Sequence, residues 1–286
     1  MITVSRSEYS NGDVVHLIKK DVMQCGEGTT ATGIALTKGA DGSIYALYDV
    51  PLRIIIWRPG EVNNQEFNNP QGISAAPTDL ASDGGLGLFM VDPWENYIIH
   101  FDRWLQQMPS IIPQLNNQRF EPLSICRSMD GNLFVINRAD DDLWKIDRDG
   151  ITVKYNWSPS GSGKLTNPKR IRYNAQVDKL MILDNDYLLL TNPNGSNTRR
   201  IPLRLKAASG IAISEHEVWI VGDGLECIPL KTKTGSFFLP SDSLRVWDAL
   251  PAVDVTFDNN DFLYILSGFD GRVLKLKIQR VSTEHP

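Results

Sequence analysis

The segment PLSICRSMDGNLFVINRADDDLWKIDRDG, residues 122–150, decides the architecture. It reads as three short strands, at residues 123–126, 133–136 and 143–146, joined by tight turns. The first turn, Met129-Asp130-Gly131-Asn132, sets Asp-Gly between two apolar runs, a strong hairpin signal. The polar loop 137–142 turns the chain again, and Asp149-Gly150 closes the third strand. Residues 151–157 then alternate apolar and polar, as a half-buried fourth strand does. Four antiparallel strands in fewer than ~40 residues make one small sheet, and such a sheet cannot bury both faces without copies of itself.

The copies are present along the whole chain. Aligned on one apolar residue of the first strand, they fall at Ile34, Leu80, Ile125, Ile171, Ile211 and Val255, in steps of 46, 45, 46, 40 and 44 residues. The second strands repeat as IYALYD, LFMVD, LFVIN, LMILD, VWIVG and LYILSG, and the third as RIIIW, YIIHF, LWKID, YLLLT, LECIPL and VLKLK. A period of ~40–50 residues with four strands per unit predicts a β-propeller. The expected fold is therefore all-β: a single domain over residues 1–286 with six four-stranded antiparallel blades, beginning near residues 31, 77, 122, 168, 208 and 251. Residues 1–30 precede the first unit and the last unit ends one strand short. The expected closure pairs residues 14–18 with residues 273–278, which removes two exposed sheet edges.

Composition narrows the function. A net charge of −5 argues against a nucleic-acid binder, which needs a basic face, and against attraction to anionic lipid. No apolar run approaches the ~18 residues of a membrane span, and the N-terminus MITVSRSEYSNGD lacks the apolar core of a secretory signal. Three widely spaced cysteines, Cys25, Cys126 and Cys227, do not form a disulfide framework, which points to a reducing, cytoplasmic setting.

Chemistry in a propeller gathers where the second strand turns into the third. Asp49, Asp92, Asn137, Asp184, Gly222 and Gly268 hold those positions. A ring of such oxygens suits a hard cation such as Ca²⁺; the plainer expectation is that Asp and Asn start turns by bonding their own backbone. His16, His100, His216 and His285 show no transition-metal spacing. SPSGSGKLT around Lys164 lacks the strand and glycine spacing of a phosphate loop.

The repeat resembles the NHL-type propeller unit, best at PLSICRSMDGNLFVINRADDDLWKID, which implies the fold and little about activity. A local stretch, CGEG at residues 25–28 followed by SIYALYDVPLRIIIW, looks like the opening of the SMP-30/gluconolactonase-like six-bladed family. That resemblance implies a metal-dependent lactonase-like hydrolase with Glu27 as ligand and Asp92, Asn137 and Asp184 at the channel mouth. The chain departs from it at PLS, PKR and ASG, where the family has Pro-Asn-Gly, and Arg170 stands in place of an amide ligand.

The other expectation is a protein partner. Trp94 lies in a loop. Trp104, Leu105, Met108, Ile111 and Ile112 lie in the apolar stretch 103–115, broken by Pro109 and Pro113, and Phe237 and Phe238 lie in an outer strand. Aromatic residues and Met on loops anchor interfaces. The favoured reading is a non-catalytic interaction propeller, a scaffold or subunit of a larger assembly, with no cofactor; the lactonase-like hydrolase carrying one Ca or other divalent ion is the alternative.

Overall fold

The computed structural model describes residues 3–5, 14–24, 31–61, 63–68, 76–113, 115, 118–147, 149–154, 165–214, 216–230 and 236–281. Strands β1 (Thr3–Ser5) and β2 (Val14–Met23) precede the repeats. The first sheet holds β3 (Gly33–Lys38), β4 (Ile44–Tyr48), β5 (Arg53–Trp57) and β6 (Gln65–Asn68), and the second holds β7 (Asp79–Ser82), β8 (Leu88–Val91) and β9 (Ile98–Phe101). The third is β10 (Pro122–Arg127), β11 (Leu133–Asn137), β12 (Asp142–Ile146) and β13 (Thr152–Lys154); the fourth is β14 (Pro168–Asn174), β15 (Lys179–Asp184), β16 (Tyr187–Thr191) and β17 (Arg199–Pro202). The fifth is β18 (Gly210–Ile213), β19 (Glu217–Val221), β20 (Gly224–Pro229) and β21 (Phe237–Pro240), followed by the one-turn helix α1 (Ser241–Arg245). The sixth is β22 (Ala252–Phe257), β23 (Phe262–Ser267) and β24 (Val273–Val281), joined by β2 and β1. Six successive antiparallel meanders of this kind are a six-bladed β-propeller.

The opening segment folds as its pattern dictates. β10 and β11 pair from Arg127↔Leu133 back to Pro122↔Asn137. The turn between them is closed by the Ser128 amide donating to the Asn132 carbonyl at 2.9 Å. Gly131 takes φ 88°, a left-handed conformation that glycine adopts without a Cβ penalty.

The chain divides into two compact units, Ile34–Leu203 and Met1–Gly33 with Arg204–Pro286. Within the first, alternate residues of each strand pack to opposite sides. Leu133 and Val135 join Val91, Ile98 and Trp144 in one core, while Phe134 and Ile136 join Leu180 and Ile182 in the next. Burial on both faces is why second strands such as β4, β11 and β19 are buried at every residue. In the other unit, Trp219, Val255, Leu274 and the closing-strand residues Val15 and Leu17 share one core.

The N-terminal strand closes the last blade as expected, but in a shifted register: residues 14–18 lie opposite 277–281, and 273–276 lie opposite 19–23. β2 pairs with β24 antiparallel from Val14↔Val281 to Met23↔Val273, with one irregularity between Lys19 and Asp21. β1 adds a fifth strand to that sheet, which the repeat pattern did not announce. The second blade departs from the four-strand expectation. Its outer position is filled by the irregular segment after β9, which touches β9 through two isolated bridges, Ile98↔Ile111 and Phe101↔Gln107. Pro109 and Pro113 supply no N–H to a ladder, so this segment cannot continue as a strand. Among the described residues, no helix is long and apolar enough to cross a membrane.

Candidate interaction site

Two places concentrate chemistry in the unit Ile34–Leu203. The first is a buried polar relay on the first strands of three consecutive blades, β7, β10 and β14, which pack side by side. In β10 and β14 the register slips just before Ser124 and Arg170, and a bulge of this kind re-aims the side chain that follows it. Asp79 is fully buried. Its carboxylate accepts from the Ser124 hydroxyl at 2.5 Å, from the Ile125 amide at 3.1 Å and from both terminal nitrogens of Arg172 at 2.8 and 3.0 Å. Arg170 adds an ion pair at 2.8 Å. One blade further on, the Ser124 oxygen accepts from the Ile171 amide at 3.0 Å. β7 and β10 thus each present an acceptor to the edge N–H of the next first strand, satisfying backbone donors that no β ladder reaches.

The electrostatics of this relay are those of a fixed ion pair. Burial raises the Asp79 pKa, but Arg170 and Arg172, with the hydrogen bonds from Arg172 and Ser124, outweigh it and hold the carboxyl below the usual carboxylate range. Asp79 is therefore a permanent anion at neutral pH and a poor general base. Burial pushes the neighbouring Cys126 thiol up, so it supplies no thiolate nucleophile. In the other unit the same repeat position holds Gly210 and Asp254. A Cβ on Gly210 would stand 2.5 Å from the Asp254 Cα, and Asp254 itself accepts from the Val255 amide at 2.9 Å.

The residues ending the second strands are anchors for the links between blades. Asp92, Asn137 and Asp184 are fully buried. Asp92 accepts from the Trp94 amide at 2.9 Å and the Ala76 amide at 3.3 Å. Asn137 accepts from the Glu121 amide at 2.6 Å and donates to the Arg119 carbonyl and to Asp140. Asp184 accepts from the Thr166 and Asn167 amides and from Arg200. Asp92 makes the local turn bond anticipated, but all three also reach back 16 to 18 residues to pin the segment that enters the first strand. Their oxygens already face N–H donors and, at Asp184, a guanidinium, which is a poor donor set for a divalent cation. Among the described residues no group of three or more His, Cys, Asp or Glu side chains is placed to hold a metal ion; Glu27 lies outside the described residues. Asn137→Ala is expected to cost about 1–3 kcal/mol by orphaning the buried Glu121 amide, read as a lower urea midpoint with an unchanged m-value.

The second place is open. A cleft of about 530 Å³ lies between blades one and two, lined by the apolar Ile56, Phe67, Leu86, Trp104 and Leu105 and by as many polar side chains. Trp104 is 64% exposed, with the Arg103 guanidinium 4.3 Å from its ring centre. Tight backbone bonds hold the segment: the Leu105 amide donates to the Asp102 carbonyl at 3.0 Å, the Met108 amide to His100 at 2.8 Å and the Ile111 amide to Ile98 at 3.0 Å. Asp102 caps the turn by accepting from the Trp104 and Gln106 amides, both at 2.9 Å. Leu105 sits at φ 59°, an uncommon conformation for a branched side chain, and it turns this leucine into the core.

The expected partner-binding residues therefore separate. Trp94, Trp104, Met108 and Ile112 are exposed. Leu105 and Phe237 are not surface groups: each is 3% exposed or less, Leu105 in the core between the first two blades and Phe237 against Trp219. The strand alternation that faces Phe237 inward leaves Phe238 half-buried under the Arg204 guanidinium. Ile111 is half-buried, packed against the core between blades two and three. The relay on Asp79, Ser124 and Arg170 went unread, although each immediately precedes the aligned apolar residue of its repeat.

No family model and no curated protein sequence matches the chain. Solved structures do match. A streptogramin B lyase has a TM-score of 0.66 at 14% identity, with 91% of this chain and 98% of that one covered. The gluconolactonase XC5397 from Xanthomonas campestris has a TM-score of 0.65 at 12% identity, covering 95% and 91%. A nidogen/laminin complex matches with a TM-score of 0.59 at 15% identity, covering 79% and 90%. At such identities the likeness is one of fold: two enzymes and a protein–protein complex share the propeller with this chain.

Proposed function

We propose that the chain is a non-catalytic interaction propeller, a subunit of a larger assembly, that binds a protein partner through the outer rim of its second blade. The observation that carries this is Trp104, a large aromatic 64% exposed in the lining of a cleft of mixed polarity while the adjacent Leu105 is 3% exposed. The segment 103–115 turns Leu105 and Ile111 inward and holds Trp104, Met108 and Ile112 out. Closing the blade accounts for the first pair; it does not account for the second set. An exposed Trp over a preformed pocket is the arrangement that dominates interface energetics. Support also comes from the nidogen/laminin complex, which uses the same fold. The buried free thiols Cys126 and Cys227 suit a cytoplasmic setting.

A Trp104→Ala, Ile112→Ser double variant is expected to lose at least 100-fold in affinity for the captured partner, measured by titration, with a Tm within about 2 °C of the parent, as exposed sites allow. Leu105→Ala serves as the contrast, with an expected loss of about 2–5 kcal/mol of stability. Retained affinity in the double variant removes the rim as the binding surface. The second reading, a divalent-metal lactonase, is supported by the gluconolactonase sharing this fold. One tightly held divalent ion per purified chain, with lactone hydrolysis that chelation abolishes, reverses the order of the two readings.

A further inference from the structure

Resting on the rim reading, the charges of the cleft narrow what it accepts. Four charged side chains line it: Arg58, Glu61, Glu66 and Arg103. Two are already matched within the chain. Arg58 pairs with Asp41 at 3.3 Å, and Glu66 pairs with the buried Arg53 at 2.9 Å. The other two, Glu61 on the first blade and Arg103 on the second, take no ion pair among the described residues, and both are exposed. Among the described residues, then, the cleft combines an apolar lining of Ile56, Phe67, Leu86, Trp104 and Leu105 with one anion on the first blade and one cation on the second that make no ion pair.

We propose that the cleft binds a linear peptide segment of a partner protein, with a bulky apolar side chain on the apolar lining, a carboxylate facing Arg103 and a basic side chain facing Glu61. Arg103 is set for this. Its guanidinium lies 4.3 Å from the centre of the Trp104 ring, a cation–π contact, and such a fork recognises a carboxylate with two parallel hydrogen bonds. Trp104 then contributes its remaining face to the apolar anchor. A segment with charges of one sign on both sides of the anchor meets repulsion on one side, and complementary charge sets specificity and register more than affinity.

The test uses the full chain and four fluorescein-labelled heptapeptides: Gly-Ser-Glu-Phe-Lys-Ser-Gly, the same with Glu and Lys exchanged, and the versions with Gln or with Lys on both sides of Phe. Binding is read by anisotropy up to 1 mM protein at low and moderate salt. One of the two mixed-charge orders is expected to bind at least tenfold tighter than the other three peptides, with the advantage shrinking as salt rises. The double charge swap Glu61→Arg with Arg103→Glu, at two exposed positions, is expected to keep the parent Tm and to invert which order binds. Equal binding of all four peptides, binding of none, or a preference that survives the swap overturns the proposal. If no order discriminates while the Trp104→Ala, Ile112→Ser variant still loses its partner, the rim reading stands and the peptide inference fails.

Discussion

A chain lacking residues 1–23 is expected to aggregate on purification, and any soluble fraction to melt well below the parent. β2 is the outer partner of β24 over its whole length, so the deletion exposes a nine-residue strand edge, a template for pairing with another chain. It also uncovers the core. Val15 and Leu17 are 1% and 0% exposed, and burial of such side chains contributes about 1.5–3 kcal/mol each. Together that is a large share of a domain stability of about 5–15 kcal/mol. Size-exclusion chromatography and thermal denaturation read the result. A soluble monomer with the parent Tm would mean that β24 does not need its partner.

The second large effect is expected at Asp79. Asp79→Ala leaves Arg170 and Arg172 facing each other with their shared carboxylate removed, and it orphans the Ile125 amide. Breaking a buried pair from one side costs about 3–5 kcal/mol, or a Tm fall of roughly 6–20 °C for a chain of this size. Asp79→Asn, which keeps an acceptor and the shape, falls less. The pH dependence has a definite sign. The folded pKa of Asp79 lies below its unfolded value, so the ionised carboxylate stabilises the fold fully above about pH 4, and this contribution is lost as the pH falls through the folded value. The Tm gap between parent and Asp79→Asn is therefore expected to be constant at neutral pH and to narrow under acid. A gap that widens under acid contradicts the assignment.

The repeat was legible because it is written in apolar spacing, which both the hairpin turns and the packing on two faces enforce. Each aligned residue from Ile34 to Val255 lies in the first strand of its sheet. What stayed hidden depends on contacts between units of the repeat. The residue before the aligned position varies from Asp79 to Ser124 to Arg170, and no one of them is a motif; their shared role emerges only when adjacent blades bring them together. The rim failed to read for a different reason. Trp104, Leu105, Met108, Ile111 and Ile112 have one hydropathy character, and no strand period runs through a segment broken by Pro109 and Pro113. A turn capped by Asp102, with Leu105 in a left-handed conformation, decides which side chains go in. That geometry has no period to detect.

The join of β2 to β24 also bears on how the molecule is made. The ribosome releases β2 long before β24, and at ordinary elongation rates the wait is tens of seconds. Throughout that time the first sheets to emerge can hairpin locally, since their strands are neighbours in sequence, while β2 can pair with β1 on one edge but has nothing on the edge that β24 will fill. The core that takes Val15 and Leu17 is built from the last two sheets, so until the end of synthesis the nascent chain carries a partly apolar strand with one open edge, which is a template for pairing with another chain. The strand synthesised near the start completes the last sheet, and a chain truncated anywhere before Val273 leaves β2 without a place to go.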